Sequence, residues 1–190
     1  MNFSVPTGNF GDILAGYFAK CMGLPVGKLL CASNANNVLT EFLTTGRYDR
    51  RRPFYKTSSP SMDILVSSNL ERLLYLASGG DAEMVAEKMR ELNEQGWYQI
   101  EGDLLQKIQG TFLCGYCDDT TTAQTIKTVW EQERNLLDPH TAVAWAVAEQ
   151  HKAVLCGQTV VLSTASPYKF APAVLTALGQ KVPDLSLIHI

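Results

Sequence analysis

The first 46 residues alternate short apolar runs with helical patterns, and this alternation most constrains the fold. Residues 2–5 form an apolar run typical of a buried strand, and residues 9–22 carry apolar side chains at helical spacing. A second run at 28–32 and a second helical segment, capped by Asn36 or Asn37 and ending at Thr45, repeat the order. Strands alternating with helices favour a parallel sheet. We therefore predict an α/β fold, an open, mostly parallel twisted sheet with helices on both faces.

The rest of the chain continues this pattern. Asp81 and Asp138 are each expected to cap a helix, and Ser61 is expected to cap another. A further helix is expected to open within the run from Asp118 to Thr122. Residues 47–60 are interpreted as a solvated basic loop. The predicted helices lie at 62–78, 82–96, 119–133, 139–150 and 167–178. A strand is predicted at 110–116 and a buried strand at 159–165.

Composition narrows the class of protein. The 190 residues are 46% hydrophobic and 18% charged, with a formal net charge of −3, which is typical of one globular domain. This charge does not favour nucleic acid or an anionic membrane as a partner. No apolar run approaches the roughly 20 residues that span a bilayer. The sequence does not open on a charged-then-apolar pattern, so we expect no leader. We therefore predict a cytoplasmic protein, without a membrane or nucleic-acid partner.

The cysteines are predicted to be reduced thiols. Their number, five, is odd, and a domain of this size does not need disulfides. Cys114 and Cys117 form a C-x-x-C before a predicted helix, an arrangement that lowers thiol pKa values in redox proteins. A second C-x-x-C is absent from the sequence, which disfavours a zinc ribbon, and we predict no metal site.

The turn SVPTGNFGD, at 4–12, has the features of an anion site. It leads from a predicted strand into a helix N-terminus, whose free N–H groups and dipole attract anions. Gly8 and Gly11 allow close backbone approach, while Thr7 and Asn9 add donors. Asp12 is expected to cap the helix from inside. From spacing alone, a plain strand-to-helix turn remains equally compatible, and neither a dinucleotide nor a nucleoside triphosphate motif is present.

Four ordered segments resemble the threonine synthases of bacteria and fungi, which are fold-type II enzymes of pyridoxal 5′-phosphate (PLP). They are SVPTGNFGDILAGYFAKCMGLP, SPSMDILVSSNLERLLY at 59–75, LLDPHTAVAWA at 136–146 and VVLSTASPYKFAPAV at 160–174. The resemblance implies that residues 1–184 are the C-terminal portion of a PLP-binding catalytic domain. Residues 185–190 do not continue the pattern and are expected to be a non-native tail.

The resemblance also implies roles for individual residues. Thr164 would face the pyridine nitrogen of PLP, with Ser163 as the close second candidate. Ser166 stands where the family commonly has histidine, which leaves the role of that position open. The phosphate of PLP would be held by Gly8, Asn9, Phe10, Gly11 and Asp12.

Several polar residues are candidates for the substrate side of the pocket. His140 is a candidate general base, or else a surface or capping residue. Lys169 is a candidate contact of a substrate phosphate, or else a solvated side chain. Donors to a carboxylate or phosphate are sought among Ser61, Ser67, Ser68 and Asn69, for which helix capping and packing are the simpler interpretations.

For the intact enzyme, the resemblance implies conversion of O-phospho-L-homoserine and water to L-threonine and phosphate. The lysine that forms the Schiff base with PLP lies upstream of the phosphate loop in this family, and no lysine here occupies the matching motif. The chain alone is therefore expected to be inactive. Two alternatives stay open: a phospho-lyase or dehydratase that yields a 2-oxo acid, and a non-catalytic phosphate-binding module. The sequence leaves the oligomeric state undetermined.

Overall fold

A computed structural model of the protein describes residues 1–182. Four strands form one parallel sheet in the order β5-β2-β1-β6, and two short strands pair antiparallel in a second sheet. The strands are β1 (Asn2–Pro6), β2 (Leu29–Ser33), β3 (Arg47–Asp49), β4 (Trp97–Gln99), β5 (Phe112–Tyr116) and β6 (Thr159–Val161). The helices are α1 (Gly11–Cys21), α2 (Val38–Thr45), α3 (Leu70–Ala77), α4 (Ala82–Gln95), α5 (Gly102–Thr111), α6 (Asp119–Glu133), α7 (Pro139–Gln150) and α8 (Ala171–Ala177).

Alternate residues of the central strands enter cores on opposite faces of the main sheet, as the pleat requires. Leu29 and Cys31 of β2 belong to a large apolar cluster with residues of α1, α2, α3 and α5. Ala32, the next residue, belongs to a second cluster with Val143 and Val147 of α7. The predicted α/β class, with helices on both faces of a parallel sheet, is confirmed.

The expectation of a solvated loop at 47–60 is confirmed for residues 50–59, which form no helix or strand, and is wrong at its start. Arg47–Asp49 forms β3, which pairs with β4, and the rings of Tyr48 and Tyr98 are stacked with centroids 5.3 Å apart. Hydrogen bonds from Arg51, opposed by partial desolvation and aided by Arg47, hold the pKa of Asp49 well below its usual range. The arginines of this segment therefore form hydrogen bonds within the protein.

The predicted helix at 62–78 begins too early. A single 3₁₀ turn occupies Pro60–Met62, and α3 starts only at Leu70. Asp63 explains the interruption, since its carboxylate accepts hydrogen bonds from Asn34, Asn36 and Thr57. Ser61 lies inside the 3₁₀ turn and does not cap a helix.

Other predicted helix ends have mixed outcomes. Asp81, Asp118 and Asp138 do cap α4, α6 and α7 through their side chains. Asn37 occupies the N-cap of α2 without a side-chain capping bond, because its amide oxygen accepts from Arg52 instead. The sequence did not predict α5 or the β3–β4 pair.

The end of the described chain also departs from expectation. The predicted buried strand at 159–165 is reduced to β6, an edge strand in which Val160 is 40% exposed. The last predicted helix is a 3₁₀ turn at Pro167–Phe170 followed by α8. The predicted tail at 185–190 lies outside the described residues. None of the helices within residues 1–182 is long and apolar enough to cross a membrane.

Candidate functional site

The turn after β1 begins the candidate site. The Thr7 amide donates to Ala32 O at 2.8 Å, and its hydroxyl donates to Val5 O at 2.7 Å, so both groups serve the turn itself. Phe10 has a φ of 63° and a ψ of 7°, which is uncommon for a residue with a side chain. Its buried ring lies 5.5 Å from that of Phe112 between centroids. This packing fixes the direction in which α1 starts.

The amides of this turn are available to an anion. Within residues 1–182, the backbone N–H groups of residues 8–12 have no hydrogen-bond acceptor. Asp12 does not supply one, because its side chain is exposed and makes no capping bond, so its predicted inside cap is wrong. A Cβ at Gly8 would lie 3.0 Å from Ser61 O, Met62 Cα and Ile64 Cδ1. Glycine at position 8 thus lets the turn lie directly against the next segment.

That next segment, the Ser61 loop (residues 59–64), is held by a polar network. The amide nitrogen of Asn34 donates to Asp63 Oδ1 at 2.8 Å and to Ser59 Oγ at 3.0 Å. The amide nitrogen of Asn36 donates to the same oxygen of Asp63 at 3.0 Å. The sequence did not predict this network, because Asn34 and Asp63 are 29 residues apart. The one local signal for it is that Asn34 directly follows the buried strand β2.

The start of α7 forms a further wall. His140 is 3% exposed, and its Nε2 lies 3.3 Å from the amide nitrogen of Ser61. Its Nδ1 lies 2.9 Å from Asp138 Oδ1. Burial acts to raise the pKa of Asp138, but hydrogen bonds from His140 and Thr141 outweigh it and lower the pKa. His140 is therefore neither a surface residue nor the cap itself.

The segment after β6 completes the enclosure. Thr164 reaches the cavity, and its hydroxyl has no hydrogen-bond partner among the described residues. The Ser163 hydroxyl oxygen instead lies 3.4 Å from Thr141 Oγ1, outside the cavity lining. Of these two neighbours, Thr164 is the one placed to contact a bound molecule.

These walls enclose one cavity of about 250 Å³. It brings together the whole Gly8 turn, the Ser61 loop, the His140 ring and Thr164 at the carboxyl ends of β1 and β6, where parallel sheets bind ligands. Its lining consists of Pro6, Thr7, Gly8, Asn9, Phe10, Gly11, Asp12, Ile13, Ser61, Met62, His140 and Thr164. A larger groove of about 640 Å³ lies between α6 and α8, and it includes none of the predicted site residues.

Known proteins of one kind are similar to this chain. Residues 141–187 match the profile of a family described as "Threonine synthase, C-terminal". The chain is 46% identical to threonine synthase-like 1 of Macaca fascicularis, over 93% of this chain and 24% of that protein. It is 43% identical to threonine synthase of Saccharomyces cerevisiae, over 94% of this chain and 38% of that protein. The chain is thus similar to the C-terminal part of threonine synthases.

A solved structure supports the same assignment. The crystal structure of PLP-bound threonine synthase from Brucella melitensis superimposes with a TM-score of 0.90 at 44% identity, covering 97% of this chain and 40% of that one. The chain therefore spans about a quarter to two fifths of the length of the threonine synthase family members that it matches.

Several predicted site residues lie outside the cavity lining. Asn69 Nδ2 donates to Asn9 O at 2.9 Å, and the Ser68 hydroxyl donates to Asn9 Oδ1 at 3.3 Å. Both residues thus brace the turn from outside. Lys169 is exposed, with Nζ 5.5 Å from the centroid of the Phe170 ring.

The C-x-x-C cysteines have no features of a redox pair. Burial raises the pKa of both Cys114 and Cys117. The Cys117 sulfur contacts Thr122 Oγ1 at 3.4 Å, and the Cys114 sulfur contacts Thr44 Oγ1 at the same distance. All five cysteines are unpaired in the structure.

Proposed function

We propose that this chain supplies the phosphate-binding half of a PLP site in a threonine synthase. The observation that carries this proposal is a cavity lined both by Thr164 and by the Gly8 turn, whose amides have no acceptor within residues 1–182. It is supported by 44% identity to a threonine synthase whose crystal structure is described as PLP-bound. Residues 1–184 would accordingly be the C-terminal portion of the catalytic domain.

The Gly8 turn fits the phosphate group of PLP. A phosphate dianion accepts several hydrogen bonds at once, and amides that end a loop and begin a helix present such donors together with the positive end of the helix dipole. Gly8 and Gly11 carry no Cβ that would keep an oxygen from these amides. We therefore assign Gly8, Asn9, Phe10, Gly11 and Asp12 to the phosphate, through their backbone.

Thr164 fits the pyridine nitrogen of PLP. Thr164 lines the cavity and its hydroxyl has no partner within residues 1–182, whereas the hydroxyl of Ser163 lies beside Thr141. A hydroxyl is a neutral partner, so it leaves the ring nitrogen less charged than a carboxylate would. When bound, PLP supplies an electron sink for carbanions next to the substrate amino group.

The reaction that we propose for the whole protein is conversion of O-phospho-L-homoserine and water to L-threonine and phosphate. Within residues 1–182, the cavity lining includes no lysine. We infer that the Schiff-base lysine comes from residues outside this chain and that the chain alone is inactive. Ser61 and His140 line the cavity and remain substrate-side candidates, whereas Ser68 and Asn69 would act by holding Asn9.

A cytoplasmic location is part of the same proposal. It is supported by the five free cysteines, since reduced thiols are typical of that compartment. The small-molecule substrate would be the principal partner.

A second candidate activity, that of a phospho-lyase or dehydratase, is supported by the descriptions of some relatives. Proteins described as threonine synthase-like are 45–46% identical to the chain, as similar as those described as threonine synthases. A phospho-lyase or dehydratase that yields a 2-oxo acid would use the same phosphate cradle. Product analysis separates the two with the complete protein that contains this chain: phosphate with threonine supports the synthase, and phosphate with ammonia and 2-oxobutanoate supports the lyase.

The cofactor site is tested by a matched pair of glycine substitutions in the full chain. Gly8→Ala places a methyl group against backbone atoms of residues 61 and 62, so we expect PLP affinity to fall about tenfold or more. Gly110→Ala is the control, because a Cβ there meets no atom within 4 Å. Binding is followed by the absorbance of PLP in equilibrium dialysis. Equal affinities for the two variants would refute the assignment of the Gly8 turn.

A further inference from the structure

The buried carboxylate of Asp138 connects two walls of the cavity that are far apart in sequence. The Asp138 residue is 1% exposed and lies at the N-cap of α7. Its Oδ1 is hydrogen-bonded to Nδ1 of the His140 ring at 2.9 Å, and its Oδ2 accepts a hydrogen bond from the Thr141 hydroxyl. One side chain thus holds two neighbouring side chains that point to different parts of the site.

Capping alone does not account for these contacts. An N-cap needs one side-chain oxygen to accept from the N–H of the second or third helical residue. Asp138 Oδ1 already does so, since the His140 amide donates to it at 2.9 Å. The bonds from the His140 ring and the Thr141 hydroxyl are additional, and asparagine would cap the helix as well as aspartate does.

The first connection leads through His140 to the Ser61 loop. The amide of Ser61 is only a donor, so His140 Nε2, 3.3 Å away, is the acceptor. The ring proton is then on Nδ1, where Asp138 accepts it. Because a Cβ at Gly8 would touch Ser61 O, this loop sets the outer limit of the phosphate cradle.

The second connection leads through Thr141 to the end of β6. The Thr141 hydroxyl contacts both Asp138 Oδ2 and, at 3.4 Å, the hydroxyl oxygen of Ser163. Ser163 directly precedes Thr164, which lines the cavity. A shift of Thr141 would therefore move the backbone that carries Thr164.

We propose that Asp138 is a positioning residue that sets the distance between the phosphate cradle at Gly8 and the ring partner Thr164, with His140 and Thr141 as its two arms. This inference rests on the proposed PLP site. It assigns His140 a structural hydrogen bond through Nε2 rather than a direct role as general base. It also explains why an acidic residue is present where a cap alone would accept asparagine.

The test compares a ligand that spans both ends with one that occupies the cradle only. Dissociation constants of PLP and of inorganic phosphate are measured for the full chain and for Asp138→Asn and Thr141→Val. We expect both variants to bind PLP about tenfold more weakly, since a charge-assisted network is lost, and to bind phosphate within about threefold of the original chain. Equal losses for the two ligands would mean a merely structural role and would overturn the proposal.

A second pair of variants isolates the His140 arm. In His140→Gln the side-chain oxygen can take the place of Nε2 and accept from Ser61, whereas in His140→Asn the shorter amide reaches only Asp138. We expect His140→Asn to weaken PLP binding about tenfold and to speed hydrogen exchange at the Ser61 amide, and His140→Gln to restore both. If the two variants show the same PLP affinity and the same exchange rate at the Ser61 amide, His140 does not link Asp138 to the Ser61 loop.

The failure of this inference is distinguishable from failure of the proposed function. If the original chain and its Gly8→Ala variant bind PLP equally weakly, the PLP site itself is refuted, and the positioning role is refuted with it. If the original chain binds PLP and all four variants of Asp138, Thr141 and His140 bind it equally well, only the positioning role is refuted.

Discussion

The Gly8 end of the cavity (residues 7–12 and 59–64) is fastened at many points, whereas the Thr164 end (residues 159–164) depends on one short strand. At the Gly8 end, Asp63 alone accepts from Asn34, Asn36 and Thr57. At the Thr164 end, β6 pairs only with β1 within the described residues, and Val160 is exposed. The phosphate is thus expected to bind a preformed cradle, while the ring partner needs positioning from α7.

This difference is also visible in the strands themselves. β1 lies between two partners in the sheet, and Val5 is 2% exposed in the main core. β6 is three residues long and lies at the edge of the sheet. Edge strands tolerate change better because fewer atoms lose contacts when a side chain is shortened.

The largest effect is expected from removing the polar network of the Gly8 end. Asp63→Ala leaves donors of Asn34, Asn36 and Thr57 without their acceptor, so we expect about 3 kcal/mol of the free energy of unfolding to be lost. Ser163→Ala, at the other end, removes a single contact at 3.4 Å and should cost under about 0.5 kcal/mol. Urea denaturation measures both. Similar costs would show that the two ends are equally fastened.

The next effect concerns a matched pair of valines. Val5→Ala removes two methyl groups from the core and is expected to destabilise the chain by about 2 kcal/mol. Val160→Ala removes the same atoms at an exposed position, with an expected cost under about 0.5 kcal/mol. Thermal unfolding of the two variants provides the comparison. A cost for Val160→Ala equal to that for Val5→Ala would mean that the edge strand is as well packed as the centre.

The smallest expected effect is a difference in the rate at which exposed and buried thiols are chemically labelled. Cys156, just before β6, and Cys21, at the end of α1, are exposed, whereas Cys31 in β2 and Cys117 after β5 are buried. Burial also raises the pKa values of Cys31 and Cys117, which lowers their thiolate content. A thiol reagent at neutral pH should therefore modify Cys156 and Cys21 first, as peptide mass spectrometry would show. Rapid labelling of Cys117 would revive the redox interpretation of C-x-x-C.

Local signals predicted the regular part of the fold. Asp81, Asp118 and Asp138 mark helix starts through bonds to amides two or three residues away, so each cap is visible within a short window. The Gly8 turn is visible for the same reason, since its glycines and the helix after it are adjacent in sequence. The resemblance of four ordered segments to threonine synthases then assigned the anion as the phosphate of PLP.

Long-range contacts account for what the sequence did not predict. The pattern at 62–69 is helical, but Asp63 bonds to asparagines more than 25 residues earlier, and those bonds compete with the helix. β3 and β4 are three residues each and join Tyr48 to Tyr98, which no short window connects. Likewise, the Asp138 network becomes apparent only when Ser61, Thr141 and Ser163 are brought together by the sheet.

The central claim is that the Gly8 turn holds the phosphate of PLP while Thr164 faces its ring nitrogen. A crystal structure of the full chain grown with PLP tests it most directly. We expect phosphate oxygens about 3 Å from the amide nitrogens of residues 8–12, and the ring nitrogen within hydrogen-bond distance of Thr164 Oγ1. Phosphate bound in the groove between α6 and α8, or a ring nitrogen directed away from Thr164, would contradict the claim.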